Sequence, residues 1–378
     1  MTAVHRRRRN KISQDWNRNE ARAGYISEYE RAVLIGEISK RVHSAHSFWL
    51  LSHENPDGDS LGCTLATFSA LKAVGKEVQV FAYEPVARMY QFLPHTDKIV
   101  YTGLLPEALP DIIFVSDNGS FHRLGREYAQ QLTHHGIGPH ANPRNGTCTL
   151  INVDHHVGNE MYGDINLVDP SCAACGELYY HLIRQLKLPF TVDVARNIYA
   201  SILTDTGRFS YANTNRETFR IASELIAIGV DPFEVVDRVY NSRTPEQIKL
   251  MAKILDTMTI MPSHRYFYCI VTQEMLRATG TVMTDTEGVV DTLKTVADFD
   301  VCFLLKEEVD GRVKVSARSN TDFDCYGLAK RFGGGGHPAA SGFTLHCALE
   351  EAPAALAAAL AQHLEERKKK GPTKGAGD

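Results

Sequence analysis

A chain of 378 residues exceeds what one hydrophobic core usually holds, and a hydrophobic content of 43% leaves enough apolar surface for two domains. A formal net charge of -4 argues against a long cationic groove tracking duplex or extended single strands, so a short substrate fits better than a polymer. No run of about eighteen apolar residues occurs, which excludes an apolar helical membrane span.

Met1 to Asn10 carries Arg6 to Arg9 with no apolar segment after it, so residues 1–26 are expected to be a disordered basic arm rather than a secretory signal. Ser27 with Glu30 has the form of a capping box and opens an amphipathic helix to Val42. Apolar runs then recur near Phe48, Val78, Ile112 and Leu150, interleaved with helical segments such as Ser60 to Val74 and Arg123 to Leu132. That alternation predicts an α/β domain with a mainly parallel sheet flanked by helices.

Four segments at the ends of these elements carry acids: His53 to Asp59, Ser116-Asp117, Asp154-His155-His156, and Thr204 to Gly207. Ligands bind outside the carboxyl ends of parallel strands, so the segments are expected to converge on one crevice. An Asp at a strand end often does no more than cap the next helix. Four separate elements each offering an Asp, two of them with His beside it, point instead to metal. Mixed carboxylate and imidazole donors suit manganese, iron or zinc better than calcium. More acids than one ion needs suggest two ions bridged by a shared Asp, a device that activates water while clamping a phosphoester.

From Gly176 to Tyr240 the pattern is mostly helical, and Pro232 and Pro245 stand at expected helix starts. Thr244 to Met261 reads as a connecting helix. Beyond it, strands at Tyr266 to Val271, Val301 to Leu305 and Val313 to Ala317 and helices at Gly288 to Val296, Cys325 to Phe332 and Leu349 to Glu366 form a smaller α/β domain. Four consecutive glycines, Gly333 to Gly336, follow a helix instead of joining a strand to one, so they are no dinucleotide fingerprint. Without Cβ atoms they let backbone N–H groups approach a phosphate or base closely. The eight cysteines are scattered as in a reduced, cytoplasmic protein. Cys172 and Cys175 have no second pair to complete a zinc site, so they read as helix packing.

At His53-Glu54-Asn55-Pro56-Asp57-Gly58-Asp59, Ser116-Asp117, Asp154-His155-His156 and Thr204-Asp205-Thr206-Gly207, the chain resembles the DHH phosphoesterase family, in its short oligoribonuclease and pAp phosphatase branch. Ala317-Arg318-Ser319 and Gly333 to His337 resemble the DHH-associated C-terminal domain. The resemblance implies a catalytic domain over 27–243, a linker helix over 244–263, a substrate-binding domain over 264–367 and a disordered tail over 368–378, with the active site in the cleft between the domains. It implies one metal on His53, Asp57 and Asp117 and another on Asp59, Asp117, His156 and Asp205. His155 is then the non-ligand histidine acting on the scissile phosphate, with Asp154 behind the histidines. Arg318, Ser319, Gly334, Gly335, Gly336 and His337 would hold substrate. It further implies two Mn2+ ions per site, with Mg2+ as a substitute, a homodimer, no membrane attachment, and hydrolysis of short RNA or pAp. Cyclic or linear signalling dinucleotides are the alternative substrates.

Overall fold

The computed structural model describes residues 26–139, 148–262, 265–319, 321 and 323–369. The expected basic arm, the tail from residue 370 and residues 140–147 lie outside these. Contacts divide the chain into two compact units, Met1–Val86 with Phe92–Val236, and Ala87–Gln91 with Asp237–Asp378.

In the first unit, α1 (Glu28–Ser44) starts at the Ser27 and Glu30 capping box. Strands β1 (Ser47–Leu51), β2 (Glu77–Ala82), β3 (Ile99–Tyr101), β4 (Ile112–Ser116), β5 (Thr149–Asp154) and β6 (Ile165–Val168) form one sheet in the order β3-β2-β1-β4-β5-β6. Every pairing is parallel. Such a sheet is covered on both faces, which is why β4 and β5 read as near-continuous apolar runs and are buried along their length. The strand order reverses between β1 and β4, and the carboxyl ends on either side of that reversal bound a crevice.

Helix α2 (Gly58–Lys72) is buried from Gly58 to Leu71, and α3 (Arg126–His134) and α4 (Cys175–Gln185) follow in chain order. The predicted helix from Arg123 instead breaks at Gly125, whose φ of 97° ends a short 3-10 turn before α3 begins. Helix α5 (Val192–Asp205) packs on α2 through small residues. A Cβ on Gly62 would lie 2.4 Å from the Asn197 carbonyl, and one on Gly58 would lie 2.5 Å from Thr204 Oγ1. This close approach brings Asp59, near the start of α2, beside Asp205 at the end of α5. Helices α6 (Arg216–Ile228) and α7 (Pro232–Tyr240) follow.

The second unit holds α8 (Pro245–Asp256), β7 (Thr259–Met261), β8 (Tyr266–Val271), α9 (Gln273–Thr279), α10 (Val289–Leu293), β9 (Val301–Glu307), β10 (Val313–Ser319), α11 (Cys325–Lys330), β11 (Gly335–His337), β12 (Ala340–Leu345) and α12 (Ala352–Lys369). Its sheet runs β11-β12-β10-β9-β8-β7, antiparallel except for β8 beside β9. The stretch predicted as helix to Met261 ends at Asp256. Thr257 Oγ1 donates to the Ile254 carbonyl and accepts from Ile270 N, and the β-branched Thr259 and Ile260 continue as strand. Leu250 and Ile254 of α8 share a core with Phe267, Cys269 and Leu304, while Val313, Val315 and Phe343 on the other sheet face pack with Leu356 and Leu360.

Candidate metal centre

Each acid is delivered by a different device. Asp57 caps α2, accepting from Asp59 N at 3.1 Å and Ser60 N at 3.0 Å, so the capping reading and a ligand reading apply to the same carboxylate. Asp59 lies one turn inside the crevice, where Cys175 N (2.8 Å) and Gly176 N (3.1 Å) at the start of α4 donate to it, with the Ser201 hydroxyl. Asp117 follows β4 with a φ of 55°, a left-handed conformation that Asp tolerates better than most residues, and its N–H donates to Val153 O at 2.9 Å. Asp205 ends α5, and Asn213 Nδ2 holds its carbonyl at 3.0 Å.

These groups face one another in three sets whose ligand atoms lie within 4.8 Å: His53 with Asp57 and Asp117, Asp59 with His155 and Asp205, and Asp117 with Asp154 and His156. The two oxygens of Asp117 divide between the first two sets. Oδ2 lies 3.7 Å from His53 Nε2, and Oδ1 lies 3.5 Å from His155 Nε2. His155 Nε2 is also 3.4 Å from Asp59 and 3.6 Å from Asp205.

His156 also reaches this centre, with its Nδ1 3.5 Å from the same Asp117 Oδ1. His53 and His155 share one arrangement, with Nδ1 against a backbone carbonyl, Glu54 O at 2.7 Å and Cys172 O at 3.1 Å, and Nε2 turned to the carboxylates. That is how a ligating imidazole is usually held, with the far nitrogen donating to a fixed acceptor. His156 is held by a side chain instead: its Nδ1 meets Asp154 Oδ1 at 2.7 Å, an Asp-His pair backed by Asn159 Nδ2 on the other oxygen, and a carboxylate in that place also suits a ligating imidazole. Adjacent residues leaving a strand point in different directions, and a sequence does not say which one turns inward. Cys172 and Cys175 serve the backbone here, one accepting from His155 and the other donating to Asp59.

Burial makes the cluster electrostatically tense. Burial first, then repulsion from Asp117, pushes the Asp59 carboxyl well above the usual carboxylate range, and burial holds Asp205 up at about 6. Burial opposes charge on both imidazoles, but Asp117 and its neighbours win, raising His53 to about 9 and His155 well above its ordinary value. Burial raises Asp57 and Asp117 too, yet their histidine partners hold both below the ordinary value. Asp117 Oδ1 is buried and accepts no hydrogen bond among the described residues. Carboxylates facing buried imidazoles across 3.4 to 3.8 Å are a donor set that divalent cations fit, with the cations taking over the charge that protons balance in their absence.

Residues 47–204 match the DHH family, N-terminal domain, and residues 266–366 match the DHHA1 domain. A relative from Thermus thermophilus, a bifunctional oligoribonuclease and PAP phosphatase NrnA, is 32% identical over 84% of this chain and 89% of its own length. The chain belongs to the DHH family. A second NrnA, from Bacillus subtilis, is 26% identical over 82% of this chain and 93% of its own. Among solved structures, the DHH chain is similar to an exopolyphosphatase-related protein from Bacteroides fragilis, with a TM-score of 0.75 and 26% identity, covering 88% of this chain and 96% of that one. Among the described residues of this DHH protein, no helix is long and apolar enough to cross a membrane.

Of the expected substrate-holding residues, the second unit brings Arg318, Gly335 and His337 onto one sheet face through the pairings Arg318 with Ala340, His337 with Ala340 and Gly335 with Gly342. Arg318 Nε donates to Asp291 Oδ1 at 3.0 Å. Ser319 does not join them. One residue further along β10 it points to the opposite face, is 2% exposed, and donates to Asp300 O at 2.8 Å. Gly334 and Gly336 answer to packing: a Cβ would meet Gly342 O at 2.2 Å from the first and Ala340 O at 2.5 Å from the second. Gly335 opens onto free space. Asn159, Asn213 and Ser201 carried no sequence signal, since isolated polar residues in no motif do not stand out from surface residues.

Proposed function

We propose that this protein is a metal-dependent phosphoester hydrolase that degrades short oligoribonucleotides to mononucleotides and removes the 3′-phosphate from pAp. The observation that carries the reading is Asp117, whose two oxygens face two separate histidine-carboxylate sets at the carboxyl ends of β1, β4 and β5. The substrates are those in the names of the relatives that match along most of their length.

His53, Asp57 and Asp117 would hold one divalent cation and Asp59, Asp117, His155 and Asp205 the other, with manganese the first choice for this donor set and magnesium a substitute. When bound, such a pair supplies an activated water and neutralises charge on the phosphate. Asp154 fixes the Nδ1 proton of His156, so that the charged imidazolium would give its Nε2 proton to the departing oxygen and be left as the neutral ring that Asp154 holds. Arg318, Gly335 and His337 would hold substrate phosphates. Free cysteines fit a reduced cytoplasm, and a homodimer, as in the family resemblance, is checked by light scattering.

The deciding experiment incubates purified protein and manganese with RNAs from dinucleotides to long oligomers, with pAp, and with cyclic and linear signalling dinucleotides. Turnover of dinucleotides and pAp is expected, falling with RNA length. Protein that leaves both untouched overturns the reading, and preference for a cyclic dinucleotide replaces its substrate.

A further inference from the structure

Register alone defines an open face on the second unit's sheet. Side chains paired across strands share a face. Arg318 lies level with Ala340 and His337, Ser316 with Gly342 and Gly335, and Lys314 with Thr344 on one side and Lys306 on the other. Toward β8 this same face is covered, with Cys302 and Leu304 in a core under α10. Toward β11 its residues are half exposed and its middle row is floored by Ser316 and two glycines.

Lys306 and Lys314 stand directly opposite each other on neighbouring antiparallel strands. Like charges in that position destabilise a sheet. Neither ammonium has a hydrogen bond or ion pair among the described residues. Other charges reach them only at longer range. Glu287 and Glu308 act favourably on Lys306 and Arg318 unfavourably, and the pair's own repulsion is among the forces that, after burial, hold Lys306 down at about 8. Glu307 is engaged by the Gln273 backbone and Asp291 by Arg318. A like-charge pair kept half-buried beside a floor of small residues is explained by an anion that sits between them.

We propose that Lys306 and Lys314 form a second phosphate site, which takes a further phosphate of the same short strand whose phosphate Arg318 holds. Lys314 precedes Arg318 by four strand residues, a span of about 13 Å. That is more than a single phosphodiester link covers, so the site engages only a ligand with several phosphates in a chain. It serves short RNA of three or more nucleotides and is idle with pAp or a dinucleotide. The proposal rests on reading Arg318 as a phosphate-holding group.

The test uses the full chain, with binding of a fluorescently labelled five-nucleotide RNA measured against salt and pAp binding by calorimetry. For Lys306→Gln/Lys314→Gln, RNA affinity is expected to fall about tenfold or more, and the slope of log affinity against log salt to flatten by about 0.7, one phosphate contact's worth. Affinity for pAp stays unchanged. Single Lys314→Gln gives about half the change in slope and guards against misfolding, as does a melting curve for each variant. RNA binding with wild-type affinity and slope overturns the proposal, and so does equal loss for RNA and pAp, which would assign the lysines to the reacting phosphate. Arg318→Gln is run beside them. If it leaves both ligands unaffected while the lysine variants lose RNA, the reading of Arg318 fails and the lysine site stands.

Discussion

The two units place charge on their sheets in opposite ways. The parallel sheet collects it at strand ends, where backbone N–H groups, a helix start and neighbouring histidines hold each carboxylate at a fixed point. The mixed sheet spreads it over a face, with Arg318 and two lysines on alternate positions. Points suit a reaction, where a reacting atom must meet several groups at once. A face suits recognition of a chain. Changes at the first sheet should therefore abolish turnover or metal uptake, and changes at the second should act on affinity.

The largest effect is expected at Asp117. Asp117→Asn keeps the shape and removes the carboxylate that faces both sets, so kcat/KM should fall at least about a thousandfold, several kcal/mol of transition-state stabilisation. Chelator-treated protein should melt lower than wild type, because the buried His53 and His155 imidazoles lose the carboxylate that holds them charged. A fall of less than tenfold would remove Asp117 from the centre of the comparison. Asp57 needs more care: Asp57→Asn retains a helix cap, whereas Asp57→Ala also costs about 1 kcal/mol of helix capping.

The two histidines sharpen the assignment. His155→Ala should lower manganese content by about one ion per chain in elemental analysis, and His156→Ala should leave it intact while turnover collapses. The reverse result would make His156 the ligand, as the family resemblance implies. Asp154→Asn, one step behind His156, should cost about ten- to a hundredfold in activity. Ligand imidazoles must be neutral, so manganese uptake at pH 7 should release protons, as seen by titration in buffers of different ionisation heat. In metal-free protein the charged His53 contributes stability that is complete below about pH 6.5 and lost as the pH rises through about 9.

Periodicity made the parallel sheet legible, and strand-end acids pointed to side chains that the fold brings within 4.8 Å of one another, because burial on both faces forces apolar runs and a parallel sheet presents the residues just beyond those runs to one crevice. Three things were not legible. His155 and His156 are neighbours of one type, and only backbone direction separates them. Asp57 satisfies the capping and ligand patterns with one side chain. The stretch after Asp256 turns from helix to strand because Ile270 N finds Thr257, a partner thirteen residues away that local propensity does not register. The lysine pair escaped for a related reason, since strand register is a tertiary fact.

The smallest effect tests the face itself. Arg318→Gln should raise KM about tenfold with kcat and metal content nearly unchanged, since it is none of the residues proposed to hold a cation. Ser319→Ala, one residue away but on the opposite side, should do the reverse. Its hydroxyl donates to Asp300 O and accepts from Thr321 N, so its loss should cost about 1 kcal/mol of stability and leave KM alone. A KM change in Ser319→Ala as large as that in Arg318→Gln would mean that alternation along β10 does not separate recognition from support, and the face would lose its meaning as a binding surface.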